Sequence, residues 1–408
     1  MKYLCIILMV LVPLKQLNAQ TLKGTLNRHT GQQMILMGFS NYKTIELSKT
    51  QADSLGHFTL HYPKDYKGMA SLKTEDNNSL VLLLGNESLL TLKGTHITET
   101  DSLQLNASEN KTFFNYAMGQ GFRTNATNAW KYLDKLYKME GQFAQQKKVK
   151  RTITKELQRI KESTQKRVDG LDKNSYLHWF IPYRKFIQDM PTIIRTETER
   201  IPASIALFRT TDFNHPNWKT SGILKEFIEA HYFMLENYKS LEENVEAMNL
   251  SSEALIDNLK DNKKLLNKVS KELFVYLDDR SLYKASEHVA VTLLKNQRNS
   301  LEMNVINRLE KYGTLKVGNS APDIQLTKTK KNIEVIYISL DTDEPMYKQA
   351  YENTPWQTYC NFKGWEMKAA KEYAIWVTPS YFLLDKNLKI LSHINSVAHA
   401  NAWIMYRL

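Results

Sequence analysis

Trp376-Val-Thr-Pro-Ser-Tyr-Phe-Leu-Leu-Asp385 sets a Thr-Pro step directly before a short apolar run that closes on an aspartate. A run of that length, bounded by turn-forming residues, reads as a strand at Tyr381–Leu384. Working outward, Glu334-Val-Ile-Tyr-Ile-Ser-Leu-Asp341 gives another at Val335–Leu340, and the steps Pro355-Trp356 and Gly364-Trp365 lie between the two. Val317-Gly-Asn-Ser-Ala-Pro-Asp-Ile324 precedes them all, with Gly313 and Gly318 bracketing a linker. The whole chain has only two cysteines, Cys5 and Cys360, so no spacing of them gives a vicinal dithiol.

These stretches, about a quarter of the chain, resemble the TlpA/ResA family of envelope thiol-disulfide oxidoreductases, which are thioredoxin-like and related to the AhpC/TSA group. The resemblance implies a thioredoxin-like α/β domain over residues 313–408. It places Thr378-Pro379 at the family's cis-proline, where backbone pairs with an extended substrate segment like an added strand. Trp356, Trp365 and Trp376 would then offer apolar surface nearby, or be ordinary core aromatics. In the family a strand, a Cys-x-x-Cys and a long helix follow the opening motif. Here only Thr327 to Asn332 separates Val317–Ile324 from the next strand, so a segment of roughly forty residues, dithiol included, is missing.

The deletion removes the nucleophile, the resolving thiol and the helix N-terminus that would lower the thiol pKa. Cys360 follows Pro355-Trp356-Gln-Thr-Tyr359 in a loop-like stretch and reads as an inert, partly buried residue. The competing reading is a monothiol oxidoreductase using Cys360 with an external thiol, or a truncated relative of an active enzyme. The missing strand is central in the family. Its absence leaves Val335–Leu340 and Tyr381–Leu384 to pair directly or leaves an open edge, with Ile324-Gln-Leu326, the helical domain or a partner as candidates to fill it.

Residues 20–105 read as a β-sandwich domain. Phe58, Leu60 and Tyr62 alternate with Thr59 and His61, as do Leu90 and Leu92 with Thr91 and Lys93. Turn signals at His29-Thr-Gly31, Ser54-Leu-Gly56, Lys67-Gly68, Asp76-Asn-Asn78 and Gly85-Asn86 divide roughly seven strands. Leu22-Lys-Gly24, Asp53-Ser-Leu-Gly-His-Phe58, Lys67-Gly-Met69 and Leu80–Leu84 resemble an uncharacterised β-rich domain that precedes envelope thioredoxin-like domains. Residues 106–312 read as a helical bundle. Ser108 is a candidate N-cap, and Ile153, Leu157, Ile160, Thr164, Val168 and Leu171 keep one helical face. An aromatic stripe from Tyr176 to Met190 is closed by Pro191. The resulting fold class is α+β and multidomain: sandwich, helical bundle and truncated α/β domain.

Residues 1–19 read as a secretory signal peptide. Lys2 is basic, Leu4–Leu14 is apolar but too short to span a bilayer, and Leu17-Asn18-Ala19 resembles a cleavage site. An uncleaved anchor is the alternative. Export to the periplasm or cell envelope leaves Cys360 alone, so the mature chain has no internal disulfide. The net charge of +12 is concentrated in residues 120–312, with 33 Lys+Arg against 25 Asp+Glu. Its one dense basic run, Lys147-Lys148-Val149-Lys150-Arg151, reads as a solvated helix end or turn, and no aromatic-interleaved basic motif points to nucleic acid. His57 and His61 share a strand face but stand about 13 Å apart, too far to share a metal. Asp341-Thr-Asp343-Glu344 reads as a helix cap, with Asp343 or Glu344 before Pro345. No metal or cofactor motif is present. The sequence therefore points to a redox-inactive protein- or peptide-binding or scaffolding component of the envelope, without an integral membrane span; partner identity and oligomeric state stay open.

Overall fold

The computed structural model describes residues 19–85, 87–100, 102–117, 120–139, 141–315, 318–322, 334–375 and 378–394. The signal-peptide reading, except for Ala19, lies outside the described residues, as do Trp376, Thr327–Asn332 and Ile324-Gln-Leu326. The chain packs as two units: residues up to Gln188 with His215–Phe227, and Asp189–Asn214 with Ile228 onward. The structure is mixed α and β, with N-terminal sheets and a helical middle region.

The first unit opens with β1 (Ala19–Leu26), β2 (Gln33–Ser40), β3 (Lys43–Gln51), β4 (His57–Pro63), β5 (Gly68–Thr74), β6 (Ser79–Leu84), β7 (Leu89–Gly94) and the two-residue β8 (Gln104–Leu105). They form two four-stranded sheets, ordered β4-β1-β7-β8 and β3-β2-β5-β6. Leu22 pairs with Leu60 on one side and Leu90 on the other. In the second sheet Leu36 pairs with Leu72, and Leu72 with Leu80. All six side chains are buried in one common core, because period-2 alternation sends every second residue inward. His57 and His61 point outward from β4 on the same exposed face. Gly24 stands opposite Phe58, and a Cβ there would fall 1.9 Å from the ring, so a residue without a side chain lets that ring turn into the core.

α1 (Ser108–Ala117) follows, with Ser108 its first helical residue. Then come α2 (Gln120–Met139), the short α3 (Gly141–Ala144), α4 (Lys147–Asp169) and α5 (Tyr176–Thr196). α4 buries Ile153 and Ile160, and the basic run forms its largely exposed opening turns. Pro191 does not close the aromatic stripe, as the sequence suggests: α5 runs through it to Thr196. Buried Met190 and Ile193 on either side hold the helix there despite the lost backbone donor. After α6 (Ile201–Arg209), the short α7 (Trp218–Ser221) places Trp218 against Trp179 and Tyr183, with ring centroids 4.9 and 4.7 Å apart.

In the second unit, α8 (Leu224–Glu236, from Ile228), α9 (Leu241–Leu259), α10 (Lys263–Asp279), α11 (Tyr283–Asn296) and α12 (Met303–Thr314) are joined by short connections. A Ser240–Glu243 capping box starts α9. Leu259, Leu266, Phe274, Leu277, Val289 and Leu309 lie on the inward faces of α9–α12 and are buried. The chain then gives β9 (Ile336–Ile338), α13 (Glu344–Tyr351), β10 (Gln357–Tyr359), α14 (Lys368–Glu372), β11 (Tyr381–Leu384) and β12 (Ile390–Ile394). Asp343 caps α13, its carboxylate accepting from Met346 N–H at 2.9 Å. β9 pairs in parallel with β10, and β11 pairs antiparallel with β12, as two separate two-stranded sheets. Of the arrangements the sequence left open, direct pairing of the two apolar strands is not the one adopted. Gly318–Ala321 instead runs beside the start of β12, with Gly318 N–H donating to Ile390 C=O at 2.8 Å and Ala321 N–H to Leu388 C=O at 2.7 Å.

Candidate functional site

Within the second unit, a cleft of about 40 Å3 opens where the ends of α10, α11 and α12 meet the segment leading into β11. Asp278 comes from the last turn of α10, Tyr283 from the first turn of α11 and Tyr312 from the last turn of α12. The opposite wall is Pro379–Phe382 with His393 of β12. The Thr378–Pro379 peptide bond is cis, and both residues are exposed.

Tyr312 Oη donates to Asp278 Oδ1 at 3.3 Å and lies 2.8 Å from Ser286 Oγ. Burial pushes the Asp278 carboxyl up to about 6; the Tyr312 bond opposes the rise and the neighbouring Asp279 charge adds to it. His393 Nε2–H donates to Leu315 C=O at 2.8 Å, which leaves Nδ1 with the lone pair. Burial holds His393 below the usual imidazole value, so the ring is neutral near pH 7. Its faces and edges meet Phe382 at 4.4 Å and Tyr283 at 5.1 Å between centroids. Burial likewise raises the Tyr283 and Tyr312 hydroxyls. The cleft is thus rich in acceptors and aromatic surface.

Of the residues singled out from sequence, Pro379 lines this cleft and Thr378 adjoins it. Trp356 and Trp365 are each 43% exposed but belong to neither wall, and Trp376 lies outside the described residues. Cys360 is half-buried and also outside the cleft. Its thiol donates to Asp341 C=O and accepts from Phe362 N–H, both at 3.4 Å. No helix begins at Cys360, since the next helical turn opens at Gly364. The feature that activates a thiolate at a helix N-terminus is therefore lacking.

Asp278, Tyr283, Tyr312 and His393 escape a reading of local sequence. They sit on three helices and a strand, and no short motif links them. Two other clusters also form only in three dimensions. His29, Asp76 and His96 bring candidate ligand atoms within 4.8 Å of one another. However, His29 Nδ1 lies 2.7 Å from Gln32 Oε1 and Nε2 accepts from Ile97 N–H at 3.2 Å, so the ring already ties two loops together. His231 Nε2 is 2.9 Å from Ser251 Oγ, the spacing of a base and its nucleophile. Both residues are fully buried, and His231 stacks on Phe208 at 3.7 Å, leaving a substrate no approach.

No protein family, curated protein or solved structure matches this chain. No helix among the described residues is long and apolar enough to cross a membrane.

Proposed function

We propose that this is a redox-inactive binding protein of the cell envelope, whose truncated thioredoxin-like C-terminal segment holds an extended polypeptide beside Thr378–Pro379. The observation that carries the reading is the exposed Thr378–Pro379 step, whose Pro379 lines a cleft with Ser380 and leads into β11. β11 pairs only with β12 among the described residues, so its second edge offers backbone groups to an added strand. Cys360 stands apart from this place, which favours binding over thiol exchange.

An array of extended decapeptides tests the reading. Wild-type protein retains a defined subset, Pro379→Ala loses it while keeping its circular dichroism and melting temperature, and Cys360→Ser retains it unchanged. Failure to retain any peptide overturns the proposal. Loss of binding in Cys360→Ser instead favours the monothiol alternative.

A further inference from the structure

The cleft beside Pro379 has a chemistry that narrows what a bound segment presents to it. Among the described residues the Asp278 carboxyl has one hydrogen bond, the 3.3 Å contact from Tyr312, and no cation pairs with it. A desolvated carboxylate without a counter-charge is costly, and a ligand cation removes that cost. His393 also lines the cleft, and with its Nε2–H committed to Leu315 its Nδ1 keeps a lone pair and no positive charge. Tyr283, Tyr312 and Phe382 supply ring surface, which attracts cations. Asp279, exposed at the rim, adds negative charge without a competing positive one in the lining.

We propose that this cleft receives a primary ammonium, the side chain of a lysine in the bound segment, with Asp278 as its counter-ion. The inference rests on the peptide-binding reading above for the lysine, but not for the ammonium. The three N–H donors of an ammonium match the acceptors available, and a cleft of about 40 Å3 suits its size better than the broad planar fork of a guanidinium. The raised Asp278 titration fits a carboxyl awaiting a positive charge.

The test uses two probes on the full-length protein. First, n-butylammonium chloride and n-butanol are titrated in parallel, reading the Asp278 side-chain carbon by NMR. The ammonium shifts that signal at concentrations where the alcohol does not, and Asp278→Asn weakens ammonium binding about tenfold. Equal responses to both compounds, or none to either, overturn the ammonium site. Second, decapeptides retained on the array are compared with lysine or norleucine at one position. A lysine preference of about tenfold that disappears in Asp278→Asn supports the assignment. Equal affinity overturns the lysine inference while peptide binding stands. If no peptide binds, the peptide reading and the lysine fall together, and the butylammonium result alone decides the ammonium site. Asp278→Asn preserves side-chain size, and near-ultraviolet circular dichroism verifies its fold.

Discussion

At β6, the edge of its sheet, Asn110 occupies the position that a neighbouring strand would take. Its Oδ1 accepts from Leu83 N–H at 2.8 Å and its Nδ2 donates to Leu83 C=O at 2.7 Å. The side chain is buried, so water cannot replace it. Asn110→Ala leaves two backbone groups unpaired and is expected to cost about 2–4 kcal/mol in urea unfolding. A loss under 0.5 kcal/mol, about the level of an ordinary surface substitution, would refute this account of the edge. Cys360 carries the opposite expectation, of inertness. Half-buried and away from any helix start, it should react with a small disulfide no faster than the same thiol in the urea-unfolded chain. A faster native rate would reveal activation and return the monothiol reading to the front.

Elements were legible where local pattern decided them. Alternation at Phe58–Tyr62 gave β4 with its inward and outward faces, the apolar run at Tyr381–Leu384 gave β11, and Asp343 before Glu344-Pro345 gave the cap of α13. The run at Val335–Leu340 gave only the three-residue β9, because its one strand partner, β10, spans only Gln357–Tyr359. Pro191 misled for a physical reason: proline's cost in a helix is a finite few kcal/mol, and the buried side chains around it outweigh that cost. Since Pro191 itself is exposed, its ring contributes little packing. Pro191→Ala should therefore restore a backbone donor and stabilise the protein by about 1–3 kcal/mol, less what the unfolded chain gains in freedom. An unchanged or lowered melting temperature would contradict this, and would mean that the turn before Pro191 is shaped by something other than the missing bond.

For the whole molecule, the candidate site was half legible: the Thr-Pro step fixed one wall, whereas the other assembles from helix ends spread over residues 278–312. That assembly makes acid stability a contest between groups of opposite sign. Burial and the Arg209 charge hold His231 well below the usual imidazole value, and burial lowers His393. An unfolded histidine binds its proton near pH 6.5, so below about that pH the unfolded chain takes up more protons and stability falls with acid. Asp278 acts in reverse. Its folded carboxyl holds a proton up to about pH 6, against 3.8 for the ordinary group. Between those values the folded chain binds more protons, so this contribution is present in acid and is lost as pH rises through 6. At neutral pH the partly buried carboxylate therefore costs up to about 3 kcal/mol. Asp278→Asn should remove that cost, raising stability at pH 7 and steepening the acid loss between pH 6 and 4, where Asp278 no longer offsets the histidines. Urea midpoints of both proteins from pH 4.5 to 7.5 decide the matter. Curves that converge toward acid support the balance, and curves that stay parallel mean that Asp278 titrates like an exposed aspartate, which would also leave the cleft without its uncompensated charge.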